Sequence, residues 1–192
     1  MRVRVPEGTR LKQAVYLSVN GELTAVFALN YAPAESVRAG LASVLRAGAL
    51  VPVLATVGFR LVMYDNREEL AKKENYPMAS EVIFGSFSDI SGKVALTAND
   101  YAVVMTPGHQ ADYEILSQVL GSDATYIGCI GSRTKVAKTR ERLKCDGYTE
   151  EDIARVHAPI GLPILAETPE EIAISIAAEM IEHRARLAGQ RH

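Results

Sequence analysis

The sequence predicts an α/β protein: a Rossmann-like, doubly wound, mostly parallel sheet, preceded by an atypical β-hairpin and helix. Two observations carry this. Short apolar runs alternate with helix-patterned segments after residue 58, which is the signature of βαβ units and a sheet buried on both faces. The polar residues able to do chemistry also fall at the ends of those runs, where open parallel sheets bind ligands. With 192 residues, 48% hydrophobic and 23% charged, the chain has the composition of an ordinary globular domain plus a small appendage.

The elements follow in order. The run "AVYLSV" at 14–19, Asn20-Gly21 and "ELTAVFALNY" at 22–31 read as a β-hairpin, because Asn-Gly supplies the positive φ angles of a tight turn. Pro33 opens a helix with Val37, Leu41, Val44 and Leu45 on one face. The segment 50–55 contains Pro52, and a proline inside a helix costs roughly 3 kcal/mol, so a strand or a broken helix is expected there. "RLVMYD" at 60–65 is a buried strand and "REELAKKEN" at 67–75 a short polar helix. "SEVIFG" at 80–85 and "YAVVMT" at 101–106 are the next strands. A helix follows at 109–120 with Ile115, Leu116 and Val119 inward. "TYIGCIG" is a fourth strand, and the helix after it is closed by Gly147. Thr149 and Asp152 form a capping-box pattern. Pro159, Gly161 and Pro163 constrain a loop, and the last helix starts at Thr168-Pro169. The organisation is therefore 1–57 as an atypical N-terminal segment and 58–192 as the Rossmann-like domain.

Bulk properties narrow the function. A net charge of −2 argues against general nucleic-acid binding, although Lys and Arg cluster between 133 and 144. Cys129 and Cys145 form no CxxC pair and the four histidines lack metal-ligand spacing, so no zinc site or disulfide framework is expected and a reducing cytoplasm fits. The start of the chain lacks the apolar core of a signal peptide, and the apolar stretch 47–59 is too short to span a membrane.

Three strand ends carry candidate site residues. Asp65 either accepts ribose hydroxyls, as an acid does at this place in dinucleotide-binding folds, or caps the following helix. In "TPGHQAD", Thr106 and Gly108 form a tight strand end open to a ligand. His109 and Asp112 share a helix face; the carboxylate either orients the imidazole or only complements the helix dipole. In "GSRTK", Gly131 lets the chain turn, Ser132 is a natural N-cap, and Arg133 and Lys135 oppose the helix dipole in a way that an anion would resolve. The plainer reading of this stretch is a capped helix with a solvated basic face. Cys129 reads as a buried small hydrophobe.

The stretches "GFRLVMYDNREE", "VVMTPGHQADYEIL", "YIGCIGSRTK" and "APIGLPILAETPEEIAISIAAEMI", in this order and spacing from about 58 to 188, resemble the C-terminal Rossmann-like domain of the XdhC/CoxI family. Members are accessory factors of xanthine dehydrogenase and carbon monoxide dehydrogenase. The resemblance implies a maturation factor, without turnover of its own, that binds the molybdenum cofactor and aids its sulfuration or insertion. That cofactor is a pterin with a phosphate and a dithiolene-bound metal. It implies a molybdenum hydroxylase apo-enzyme and a cysteine desulfurase as partners, and it is compatible with a homodimer. On this analogy Gly131, Ser132 and Arg133 hold phosphate or pterin oxygens, His109 and Asp112 line the pocket, and Asp65 bonds pterin or ribose. The alternative reading is an NAD(P)-binding oxidoreductase-like protein. One departure counts against it: family Rossmann domains begin with a strand and a GAGH-type turn, and "ASVLRAGA" before "LVPVLATVGF" contains none.

Overall fold

The computed structural model describes the backbone of residues 14–19, 22–28, 35–106 and 109–189, with side chains from residue 46 onward except at His109. The chain divides into two units, Met1–Arg38 and Ala39–His192. In the first, β1 (Ala14–Val19) and β2 (Glu22–Ala28) pair antiparallel from Val19↔Glu22, as the hairpin pattern predicts, with an irregularity between Leu17 and Ser18. The Asn20-Gly21 turn, Pro33 and the helix face of Val37, Leu41, Val44 and Leu45 lie outside the described residues or side chains.

The second unit holds the α/β domain. Helix α1 (Glu35–Thr56) runs into it, followed by β3 (Val62–Asp65) and β4 (Glu81–Phe84), which pair parallel. Next come β5 (Tyr101–Val104), α2 (His109–Val119), β6 (Tyr126–Cys129), α3 (Arg133–Cys145), α4 (Glu150–Ala154), β7 (Val156–His157) and α5 (Pro169–Gly189). Strands β5, β6 and β7 form a parallel sheet in that order.

Strand alternation sorts the side chains to two faces. Ala102, Val104, Ile127 and Cys129 face a core with Ile115, Leu116 and Val119 of α2 and Leu143 of α3. The alternate positions Tyr101, Val103 and Tyr126 face Leu50 and Leu54 of α1 and Ile176, Ala177 and Met180 of α5. Helices thus cover both faces, which is the doubly wound arrangement.

Three expectations need correction. The segment 50–55 is neither strand nor break, because α1 continues through Pro52 to Thr56. Pro52 sits on the exposed side while Leu50, Val51 and Leu54 are buried. Burying three large apolar side chains contributes roughly 1.5–3 kcal/mol each, which exceeds the proline penalty of roughly 3 kcal/mol.

The stretch 67–75 is not a helix but a series of turns ending in one 3₁₀ turn, Lys73–Asn75. The Asn75 side-chain amide donates to the carbonyls of Glu69 and Leu70 at 3.3 and 3.0 Å, competing with helical bonding.

The loop after α4 also carries a strand that the sequence does not reveal. β7 pairs Val156 with Ile127 and His157 with Gly128. Two residues are too few to show a period.

Candidate functional site

The carboxyl edge of the sheet brings together Thr106, Asp112, Gly131 and Lys135. Asp112, in the first turn of α2, is 1% exposed. Its Oδ1 accepts a hydrogen bond from Thr106 Oγ1. Lys135, in the first turns of α3, places Nζ 2.5 Å from Asp112 Oδ2 and donates to the Thr106 carbonyl at 3.1 Å. Burial pushes the Asp112 carboxyl above the usual carboxylate range, while Lys135 and Thr106 pull it back. A Cβ at Gly131 would lie 3.1 Å from Lys135 Cδ, so a small residue there lets the lysine fold back toward the carboxylate.

Ser132 caps α3: its Oγ accepts from Lys135 N at 3.3 Å. Arg133 is exposed and makes no polar contact among the described residues. Gly131, Ser132 and Arg133 therefore present a capped helix start with one cation that has no carboxylate partner among the described residues. Gly108 lies outside the described residues. His109 is the first residue of α2, and its side chain is likewise outside them.

Asp65 ends β3, and its carboxylate is engaged by Arg67. Both oxygens accept from the guanidinium, at 2.8 and 2.6 Å, and Oδ1 also accepts from Arg67 N at 3.0 Å. Arg67 is the residue that sequence reasoning missed; a cation two residues beyond a strand-end acid was the available signal. Cys129 is buried as expected, and burial pushes its thiol up to about 12, so it stays protonated and poorly nucleophilic. Among the described residues no group of His, Cys, Asp or Glu has the arrangement of a metal site, and no helix is long and apolar enough to cross a membrane.

A cavity of about 1190 Å³ runs beside this edge. Asp65, Asn66, Arg67, Thr106, Gln110 and Glu114 line one end of it, so Asp65 and Thr106 share a wall, while Arg133 lies outside the lining.

The family model described as "XdhC Rossmann domain" matches residues 43–180. The chain belongs to this family. The match starts earlier than the stretch near Gly58 that motif reading picked out, and so takes in the second half of α1. A Bacillus subtilis (strain 168) protein described as a probable xanthine dehydrogenase subunit is 31% identical over 139 residues, covering 72% of this chain and 40% of that protein. The uncharacterized protein YqeB of Escherichia coli (strain K12) is 31% identical over 135 residues, covering 70% of this chain and 25% of its own length. A crystal structure described as a xanthine dehydrogenase from Bacillus halodurans superposes with a TM-score of 0.66 at 33% identity, covering 75% of this chain and 41% of that one. The chain thus spans from a quarter to about two fifths of these XdhC relatives.

Proposed function

We propose that this chain is a xanthine dehydrogenase accessory-type protein that holds the anionic end of the molybdenum cofactor for a molybdenum hydroxylase. The observation that carries the reading is the state of the cations at the carboxyl edge. Lys135 is neutralised by Asp112 and Arg67 by Asp65, whereas Arg133, beside the capped start of α3, is exposed and has no carboxylate partner among the described residues. An uncompensated guanidinium next to helix-start N–H groups suits one phosphate. Family membership and the names of two relatives support the link to xanthine dehydrogenase, and the molybdenum cofactor is the ligand proposed on that link.

The donor set fits the pterin phosphate end of that group and not its metal. Arg133, Ser132 and Gly131 would hold phosphate oxygens. Cys129 is buried at 4% exposure and is not presented to a ligand at this edge, so the metal would keep the dithiolene of its own pterin. The bound group would supply the oxidation–reduction chemistry of the client enzyme; this chain's residues bind and orient. On this reading the client apo-enzyme, and a cysteine desulfurase where sulfuration occurs, are the partners, and the protein has no turnover of its own. The NAD(P) alternative gains no support from Asp65, because a ribose would have to displace Arg67 from both carboxylate oxygens.

Titration of the purified chain with molybdopterin, followed by fluorescence, tests the reading. A charge-assisted hydrogen bond contributes roughly 1.5–3 kcal/mol, so Arg133→Ala is expected to weaken binding by about ten- to a hundredfold. Equal affinity of the two proteins would remove Arg133 from the site and this reading with it.

A further inference from the structure

The loop between β7 and α5 carries the one residue other than glycine with a positive φ among the described residues, Leu165 at 61°. It is also 92% exposed, and Ile164 beside it is 49% exposed. A single exposed leucine is ordinary. A leucine held in the left-handed region and presented to solvent carries two penalties at one position, and glycine or asparagine would remove both. The strain is imposed from both ends of the loop. Ile160 N donates to the Cys129 carbonyl at 3.1 Å, and Gly161 N donates to Glu179. Leu162 N donates to the Ser175 carbonyl at 3.3 Å, and its own carbonyl accepts from Ser175 Oγ at 2.7 Å. At the other end Glu167 N and Thr168 N donate to Glu171 Oε2 at 2.8 and 3.0 Å. Residues 163–166 are thus suspended between fixed points. An unfavourable φ persists under that condition, and such residues cluster at ligand sites.

The loop lies at the edge that carries the phosphate anchor. Cys129 ends β6, and Arg133 opens α3 four residues later. Leu165 follows by five residues Ile160, which is bonded to Cys129. The two segments then diverge, α3 to the face packed around Leu143 and α5 to the face packed around Ile176. The carboxyl end of β6 therefore lies between the Arg133 helix start on one side and the Leu165 loop on the other, which is where open parallel sheets receive ligands. Neither Arg133 nor Leu165 lines the 1190 Å³ cavity, which runs along β3 and β5.

A phosphate anchor by itself does not select a pterin. Small-molecule sites are lined mostly by apolar side chains, with a few polar groups that fix orientation. Gly131, Ser132 and Arg133 supply only the polar part. A pterin is a planar fused ring with apolar faces, and a fixed, exposed aliphatic side chain is a surface for such a face. We infer, resting on the cofactor reading above, that Leu165, with Ile164 beside it, is the contact on which the pterin ring lies while Arg133 holds the phosphate end. The bound ring takes Leu165 out of water, and that burial offsets the strained backbone.

The full 192-residue chain and its Leu165→Gly, Leu165→Asn and Arg133→Ala variants test this. Each is titrated with molybdopterin by fluorescence and with inorganic phosphate by calorimetry, and each is unfolded thermally without ligand. Glycine and asparagine both tolerate the left-handed region, so neither variant disturbs the loop's path. Both Leu165 variants are expected to bind molybdopterin about tenfold more weakly, the scale of one lost leucine contact. Their affinity for inorganic phosphate should be unchanged, whereas Arg133→Ala weakens both ligands. Without ligand, Leu165→Gly should unfold at or above the temperature of the parent, because the strain is relieved. Equal molybdopterin affinity in the Leu165 variants, alongside a loss in Arg133→Ala, would remove the leucine from the site and leave the phosphate anchor standing. An equal loss of phosphate binding would make the loop a support of that anchor and overturn the ring contact. A lower unfolding temperature for Leu165→Gly would mean that the chain itself covers the leucine, which also overturns it. Absence of molybdopterin binding by the parent would remove the cofactor reading and this inference together.

Discussion

Lys135 Nζ lies 2.5 Å from Asp112 Oδ2, joining α3 to α2 through an ion pair whose acid is 1% exposed. The pair also closes the strand end after β5, because Thr106 donates to the other carboxylate oxygen and accepts from the same ammonium. Removing one partner leaves a buried charge, which costs about 3–5 kcal/mol. Lys135→Met is therefore expected to lower the unfolding free energy by about that amount in urea titration. Adding Asp112→Asn to Lys135→Met is expected to restore more than half of the loss, since the neutral amide keeps the Thr106 contact without a buried charge. Additive effects of the two substitutions would mean that the pair is not coupled in solution.

This pair also marks where sequence reading ends. The caps at Ser132 and Thr149 were legible because a cap is a contact within three residues, and both side chains accept the expected N–H groups. The parallel strands were legible from short apolar runs. Asp112 was read either against His109, whose side chain lies outside the described residues, or as a complement to the helix dipole; the cation it meets, Lys135, is 23 positions away, and its approach depends on the sheet register. Asp65 was read either as a ribose acceptor or as a cap for the segment near Arg67; its Oδ1 accepts from Arg67 N, and the guanidinium, which neither reading named, curls back onto both oxygens. The unbroken α1 was obscured because proline's penalty is local and the burial that outweighs it is not.

Gly128 is a packing requirement rather than a flexible joint. A Cβ there would lie 2.2 Å from Ile160 Cδ1 and 2.9 Å from a ring carbon of Tyr126. Ile160 is 8% exposed, and its N–H is tied to the Cys129 carbonyl at 3.1 Å, so it has little room to retreat. Gly128→Ala is expected to destabilise by about 1–3 kcal/mol through overpacking. Thermal unfolding of the single variant and of Gly128→Ala with Ile160→Val separates the causes. The valine lacks Cδ1, the nearest atom, but keeps the Cγ1 that would lie at 2.8 Å, so the double variant should recover part of the stability that Gly128→Ala loses. A double variant that loses more than the roughly 0.5–1.5 kcal/mol of a buried Ile→Val change on top of the single variant would mean that Cδ1 is not the source of the strain.

The face of the sheet under α5 makes stability depend on pH through His183. Its ring packs edge-on against Tyr101 at 5.5 Å and Tyr126 at 5.2 Å, with His157 5.7 Å away. Burial lowers its pKa; His157 and Arg186 act in the same direction, and Glu179 opposes them. The unfolded chain takes up this proton near the ordinary histidine value of about 6.5, before the folded chain does. The unfolded state then binds more protons, so stability falls as pH falls. The contribution is complete above about pH 6.5 and is lost as pH drops through the depressed folded value. Urea unfolding at pH 7.5 and at pH 5.5 should give a lower free energy at the acid end. His183→Phe, which keeps a ring against Tyr101 and Tyr126 but carries no proton, should shrink that difference. An unchanged difference in the variant would assign the pH dependence to other groups.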